Sequence, residues 1–351
     1  MRIRRTFPLA LAVVIVAAAV TVAVQLRKNA PPEPARLLPG ADAFVYVNLG
    51  WVRKLNPESG LPTVSHDPEY AHFIEQTGFE FERDLQAAAF AVHYPVNWPG
   101  GGTGSAAPEP RFSEVFVGKF DGAKLSAYLK QNAQSTENYH SVDIFTIPLE
   151  GRSFRVAILS VDSVACSNHD DPAVIRGIVD RSRRLASPFG GPALLRRYYK
   201  RVQFDSPLWI VAHVEPSGPE FGGWGDVFSK PADVVISAGY NPLHLPLRAG
   251  ALHLRAEALA GSVDDARGIA DKLNTYLTVF HAAEGSVGGS GTDADVKALF
   301  ESLQVRQEGD RATLNAYIPA GFLKKMLEES PAAAASPNAQ TPKEPASTGS
   351  R

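Results

Sequence analysis

Between residues 37 and 329 the spacing of apolar residues switches repeatedly between strand and helix periods. Residues 43–49 open with Phe44, Val45, Tyr46 and Val47, the aromatic and β-branched content of a strand. His66-Asp67-Pro68 then supplies an N-cap with proline at the first helical position, and Tyr70, Phe73, Ile74 and Thr77 recur at helical spacing until Gly78. Strands are predicted at 87–94 and 114–120, on either side of a Gly/Pro-rich loop at 95–111. Asp121 caps a helix carrying Leu125, Tyr128 and Leu129. Strands at 142–149, 154–160 and 163–168 follow, with links short enough for hairpins. Asp170-Asp171-Pro172 repeats the cap-plus-proline device before Val174, Ile175, Ile178, Val179 and Leu185. A short helix from Pro192 to Tyr199 and a strand at 207–214 complete this part.

Residues 217–232, rich in Gly and Pro, read as a boundary between two domains, 37–216 and 233–329. Beyond it come strands at 233–240 and 249–259, a helix from Val263 to about His281, a short helix at 293–303, a hairpin through Gly309-Asp310, and a last helix carrying Phe322, Leu323, Met326 and Leu327. Residues 114–178 and 251–327 share the order strand, helix, hairpin, helix, which suggests two related units. Short hairpin strands with helices between them predict an α+β fold of antiparallel sheets with helices packed on one face.

The ends differ from this body. Arg2, Arg4 and Arg5 precede nineteen uncharged residues, 8–26, and Arg27 and Lys28 follow. At about 1.5 Å per residue that run spans roughly 28 Å, near the hydrocarbon thickness of a bilayer. Residues 1–28 therefore read as a signal-anchor or transmembrane helix with a cytoplasmic N-terminus and the body outside an inner membrane. Cleavage is the alternative, with small residues at Ala17 and Ala19 or at Thr21 and Ala23, leaving a secreted protein. Residues 29–36, with Pro31, Pro32 and Pro34, read as an extended spacer, and 330–351, rich in Ala, Pro and Ser, as a disordered tail.

Composition narrows the function classes. With 44% hydrophobic and 21% charged residues the 351-residue chain is neither wholly disordered nor polytopic. Its single cysteine, Cys166, excludes intramolecular disulfides and cysteine-built metal centres. Removing the five basic residues of 1–28 leaves 30 basic against 37 acidic residues, a net charge of −7 that argues against nucleic acid as a partner.

No pattern in the chain specifies catalysis, a cofactor or a metal. His66, His93, His169, His213 and His253 stand apart in sequence, and the acids of His169-Asp170-Asp171 are accounted for by a helix cap before Pro172. There is no G-x-S-x-G elbow, Cys166 lies in an apolar strand, and the glycines at 100–104 and 285–291 lack the phosphate-loop spacing. Asp293-Ala-Asp295 is too short for a calcium loop.

Two features point to binding. Arg176, Arg181, Arg183, Arg184, Arg196, Arg197, Lys200 and Arg201 face one acid, Asp180, in the same stretch. Outside a bacterial inner membrane such a patch would meet anionic lipid or envelope polymer, or it is simply two solvated helix faces. Phe221, Trp224 and Phe228 lie among glycines at the boundary, where aromatics either anchor a partner, protein or membrane, or pack between domains.

The stretch from Leu38 through Pro39, Gly40, Ala41, Asp42 and Ala43 to Asn48, coming after an N-terminal anchor, resembles the opening of uncharacterised bacterial membrane-anchored envelope proteins with a duplicated α+β ectodomain. Gly118-Lys-Phe-Asp121 entering a helix, and Gly309-Asp-Arg311 before the last helix, resemble that group as well. The resemblance implies no activity and no catalytic residues. The chain is thus expected to be a membrane-tethered, extracytoplasmic, non-enzymatic binding or scaffold module of the cell envelope. The alternative is an envelope-acting hydrolase with its site at the domain junction.

Overall fold

The computed structural model describes residues 30–55, 67–94, 110–149, 151–185, 191–216, 227–239, 252–286 and 294–328. The expected anchor (1–28) and tail (330–351) lie outside them, as do the loop residues 95–109, Phe221 and Trp224. Among the described residues no helix is long and apolar enough to cross a membrane.

Twelve strands form one antiparallel sheet: β1 (Ala43–Asn48), β2 (Leu85–His93), β3 (Arg111–Gly118), β4 (Ser135–Tyr139), β5 (Val142–Leu149), β6 (Arg152–Ile158), β7 (Ser163–Ser167), β8 (Leu208–Val214), β9 (Ala232–Gly239), β10 (Leu252–Leu259), β11 (Gln304–Glu308) and β12 (Arg311–Ile318). Their spatial order is β11-β12-β10-β9-β8-β1-β2-β3-β7-β6-β5-β4. The expectation of separate sheets is therefore corrected. β1 uses both edges, pairing Val45 with Phe90 of β2 and with Ile210 of β8, and so joins what would otherwise be two sheets. β8 and β9, which flank the Gly/Pro-rich stretch, are themselves paired.

Helices are α1 (Glu33–Leu37), α2 (Leu49–Leu55), α3 (Pro68–Thr77), α4 (Phe81–Asp84), α5 (Gly122–Asn132), α6 (Ala173–Ser182), α7 (Ala193–Tyr198), α8 (Val263–Ser286), α9 (Ala294–Ser302) and α10 (Ala320–Glu328). The local signals act as the sequence implies. Asp67 accepts from the Tyr70 amide at 2.8 Å, and Gly78 closes α3 at φ +71°, where a side chain would be strained. Asp121 accepts from the amides of Ala123 and Lys124, each at 3.1 Å. The spacer departs from its expected extended form. Residues 33–37 make a helical turn, Pro34 taking the early position that needs no amide, and Pro34 and Ala35 are buried.

Registers define the two faces. Cys166, Glu114, Phe90, Val45, Ile210, Ile236, Ala256 and Leu314 lie in one row across eight strands, and their chain neighbours Ala165, Val115, Ala89, Tyr46, Trp209, Ser237, Arg255 and Asn315 form the row on the other face. On that second row's face, α1, α6 and α7 cover a core containing Phe44, Tyr46, Val115, Ile178, Leu195, Trp209 and Val235. On the face of Cys166, α5 lays Leu125 and Leu129 on Phe145, Val156 and Val164, and α8 lays Ile269 and Ala270 on Ala258 and Ala312. Helices thus cover both faces, not one. The reason is in the strands: β7 buries Val164, Ala165 and Cys166 consecutively, so neither of its faces is the solvent side.

Candidate functional site

Two differently built surfaces meet on strands β8, β9, β10 and β12. Alternation sends Ala256 and Ala258 to one side of β10 and Arg255 and Glu257 to the other. The apolar side faces α8 and encloses a cavity of about 400 Å³. Ile210, Val234, Ala256, Leu314, Ile269 and Leu273 line it, and Phe228, the one described member of the expected aromatic loop, stands at its wall. The cavity exists because β10 and β12 offer small residues, Ala256, Ala258 and Ala312, opposite a helix held off by Ile269 and Leu273. Its volume falls in the range typical of small-molecule sites, and an apolar lining of this kind selects by shape and hydrophobicity.

The opposite side is polar. Tyr199 packs edge-on against buried Trp209, ring centroids 5.4 Å apart, and so holds the 3-10 turn Tyr199–Arg201 over the sheet. Arg201 then donates to Glu257 at 3.0 Å, and Arg255, two residues along β10, also donates to Glu257. Arg311 of β12 lies 3.9 Å from the same carboxylate and 3.4 Å from Glu308. Tyr198 donates its hydroxyl to Asp233, which contacts His213 Nδ1 at 2.8 Å, while His213 Nε2 contacts Glu215 at 3.1 Å. Burial pulls the His213 pKa down most strongly, yet the hydrogen bonds and charges of Asp233 and Glu215 together raise it above 6.5. In the imidazolium both ring nitrogens donate to carboxylates, so only the neutral ring has a nitrogen that could act as a general base.

A third polar group joins β2, β3 and β7. His93 Nε2 is 3.0 Å from Ser113 Oγ, which is 3.0 Å from Ser167 Oγ, and His169 stacks edge-on to His93 at 5.1 Å. Burial, then repulsion from His169, lowers the His93 pKa to about 4. This histidine–serine pair resembles an activated nucleophile, but Ser113 is fully buried and its hydroxyl is engaged on both sides. On the other face of β3, burial raises Glu114 to about 7 and pushes its cross-strand neighbour Cys166 well above its usual value.

The basic run is divided by its partners. Arg176 makes two hydrogen bonds to Glu137, Arg181 donates to the Leu37 carbonyl at 2.6 Å, and Arg201 belongs to the Glu257 group. Arg183, Arg184, Arg196, Arg197 and Lys200 are exposed, with Arg197 over the Tyr198 ring at 5.1 Å. Of His169-Asp170-Asp171 only Asp171 acts at the helix start, accepting from the Ala173 amide at 2.8 Å, while Asp170 pairs instead with Arg111 at 3.1 Å. No group of three or more metal-ligating side chains is assembled among the described residues.

No family model and no curated protein matches the chain. Solved structures of TP0453 do. Crystal form III is 10% identical with a TM-score of 0.42, covering 85% of this chain and 98% of that one. Crystal form I is 10% identical with a TM-score of 0.38, covering 85% and 97%.

Sequence reading missed the cavity and the Glu257 and His213 groups. A signal for the second existed in Arg255-Ala-Glu257, a charged i, i+2 pair inside an apolar strand, which places both charges on one face.

Proposed function

We propose that this protein is a membrane-tethered, extracytoplasmic, non-enzymatic binding module of the cell envelope, held by residues 8–26 and taking an apolar ligand between its sheet and α8. The observation that carries the reading is the roughly 400 Å³ cavity lined by aliphatic side chains. An empty apolar cavity is a destabilising void, so retaining one of this size suits a protein that fills it. The ligand class is a hydrocarbon or acyl chain. The exposed residues Arg183, Arg184, Arg196, Arg197 and Lys200 supply attraction to anionic lipid or envelope polymer.

The test is titration of full-length protein in neutral micelles with a fluorescent fatty acid. Saturable binding that Ala256→Phe abolishes, with circular dichroism unchanged, is the expected result. No saturable binding to the wild type would end the reading. Tethering is checked separately by alkaline extraction of membranes and sequencing of the mature N-terminus. Release into the soluble fraction with a new N-terminus near residue 20 would replace the tether by cleavage and secretion.

We also infer that the domain is a duplication, and the strand order supports it. β1-β2-β3 and β8-β9-β10 are three-strand meanders. Each is followed by a helix on the Cys166 face, then by an edge strand, β4 or β11, and a return that sets β7 or β12 beside the third strand. The first strands, β1 and β8, are antiparallel neighbours, as a two-fold axis between the halves requires. An experimental structure in which the two meanders and their helices failed to superpose would remove the inference.

The hydrolase alternative has one supporting observation, the Tyr198–Asp233–His213–Glu215 chain beside the Gly/Pro-rich stretch. Hydrolysis of envelope material by the wild type and not by His213→Ala would favour it.

A further inference from the structure

We propose a second site, for an oxyanion, on the polar face of β10 and β12. Its floor is the Glu257 carboxylate and its wall is three guanidinium groups, Arg201, Arg255 and Arg311. It lies across the sheet from the apolar cavity: Glu257 also borders that cavity, but its side chain and that of Ala256 leave β10 on opposite faces.

The argument begins with charge. The Glu257 side chain is 3% exposed, and a carboxylate that deep needs partners. One bidentate arginine would suffice. Here three arginines converge on it, and among the described residues the only other acid in their ion pairs is Glu308, at Arg311. The count of hydrogen-bonding groups is just as lopsided: each guanidinium carries about five N–H donors, whereas a carboxylate offers about four acceptor positions. The arginines remain reachable from solvent, with side chains 34%, 39% and 29% exposed at Arg201, Arg255 and Arg311. Glu257 draws together like charges that would otherwise separate, and leaves an excess of donors above it.

Two buried donors carry the inference further. Arg255 Nε and Thr313 Oγ1 have no hydrogen-bond partner among the described residues, and Thr313 pairs directly with Glu257 across the β10–β12 ladder. Unpartnered buried donors cost stability, and an anion seated among the arginines would satisfy them. The 3-10 turn that delivers Arg201 also brings Lys200, and α7 brings Arg196 and Arg197, all exposed. They extend the positive field around the site. Guanidinium forks match a tetrahedral oxyanion in geometry, so the ligand class is phosphate, free or as a phosphomonoester headgroup.

The test titrates full-length protein in neutral micelles with inorganic phosphate by calorimetry, at ionic strength held constant with chloride. Saturable 1:1 binding is expected, weakened about tenfold or more by Arg255→Gln, the loss of a charge-assisted hydrogen-bonding partner. Arg311→Lys, which keeps the charge but removes the fork, and Thr313→Val give milder losses in proteins that retain the ladder, so the outcome does not depend on one variant folding. Tighter binding of glycerol 3-phosphate than of phosphate assigns the site to a lipid headgroup, and the reverse order to the free ion. Absence of saturable phosphate binding to the wild type, or wild-type affinity in all three variants, overturns the site.

Discussion

Replacing Glu114 by Gln should stabilise this protein, and only above mildly acidic pH. Glu114 points from β3 to the face carrying Phe112 and Phe116, with Phe90 opposite on one side and Cys166 on the other. No cation pairs with it among the described residues, so nothing offsets the loss of water, and its pKa rises from 4.5 to about 7. The unfolded chain releases this proton near pH 4.5, while the native state holds it to about 7. Stability is therefore complete below the lower value and is lost as pH rises to the upper one. At about 1.36 kcal/mol per unit, the difference amounts to roughly 3 kcal/mol at pH 8. Gln keeps the shape of the protonated acid and does not ionise. Urea unfolding of the full-length protein in micelles, followed by tryptophan fluorescence, should show Glu114→Gln more stable by about 3 kcal/mol at pH 8 and equal to wild type near pH 4. Equal gains at both pH values, or a loss at pH 8, would refute the reasoning, because the effect would then be unconnected with ionisation.

Other consequences are separable. His93, held to about 4, should stay neutral while the unfolded chain protonates near 6.5, so it removes stability as pH falls between those values; a titration by NMR that places it at or above 6.5 contradicts its burial. His213 has the opposite sign: its raised pKa lends stability that is whole below pH 6.5 and fades as pH passes its native value. His213→Gln should accordingly lower the melting temperature more at pH 5 than at pH 9, and equal losses would show that the Asp233 and Glu215 contacts do not depend on charge. At Gly118 an added Cβ would sit 2.8 Å from the Asp84 carbonyl oxygen, which is backbone and cannot turn aside. Gly118→Ala should cost about 1–3 kcal/mol by overpacking, measured by the same unfolding assay, with no change expected in Gly122→Ala beyond a small helix gain, since nothing lies within 4 Å there.

Elements that rest on nearest-neighbour physics were legible in the chain. The Asp67 and Asp121 caps, the Gly78 stop and the aromatic and β-branched content of β1 act over a few residues, and each stands where the residues imply. β4 escaped because Ser-Thr-Glu-Asn-Tyr is a polar edge strand held by its ladder to β5, through a turn with positive φ at His140 and Ser141. The basic run was visible as composition, but its division among Glu137, the Leu37 carbonyl and Glu257 was not, since those partners come from distant segments.

Local sequence therefore set most of the strands and the longer helices, with the Asp67 and Asp121 caps, but not the edge strand β4 or the short helices at 33–37, 49–55 and 81–84. Joining of the strands into one sheet depended on β1 meeting β8, a pairing of Val45 with Ile210 that no local pattern encodes because either strand edge accepts any backbone partner. The same tertiary choice assembled the cavity under α8 and set three arginines around Glu257. Alternation assigns Ala256 and Glu257 to opposite faces in advance, but only packing decides which face meets a helix and which meets other charges.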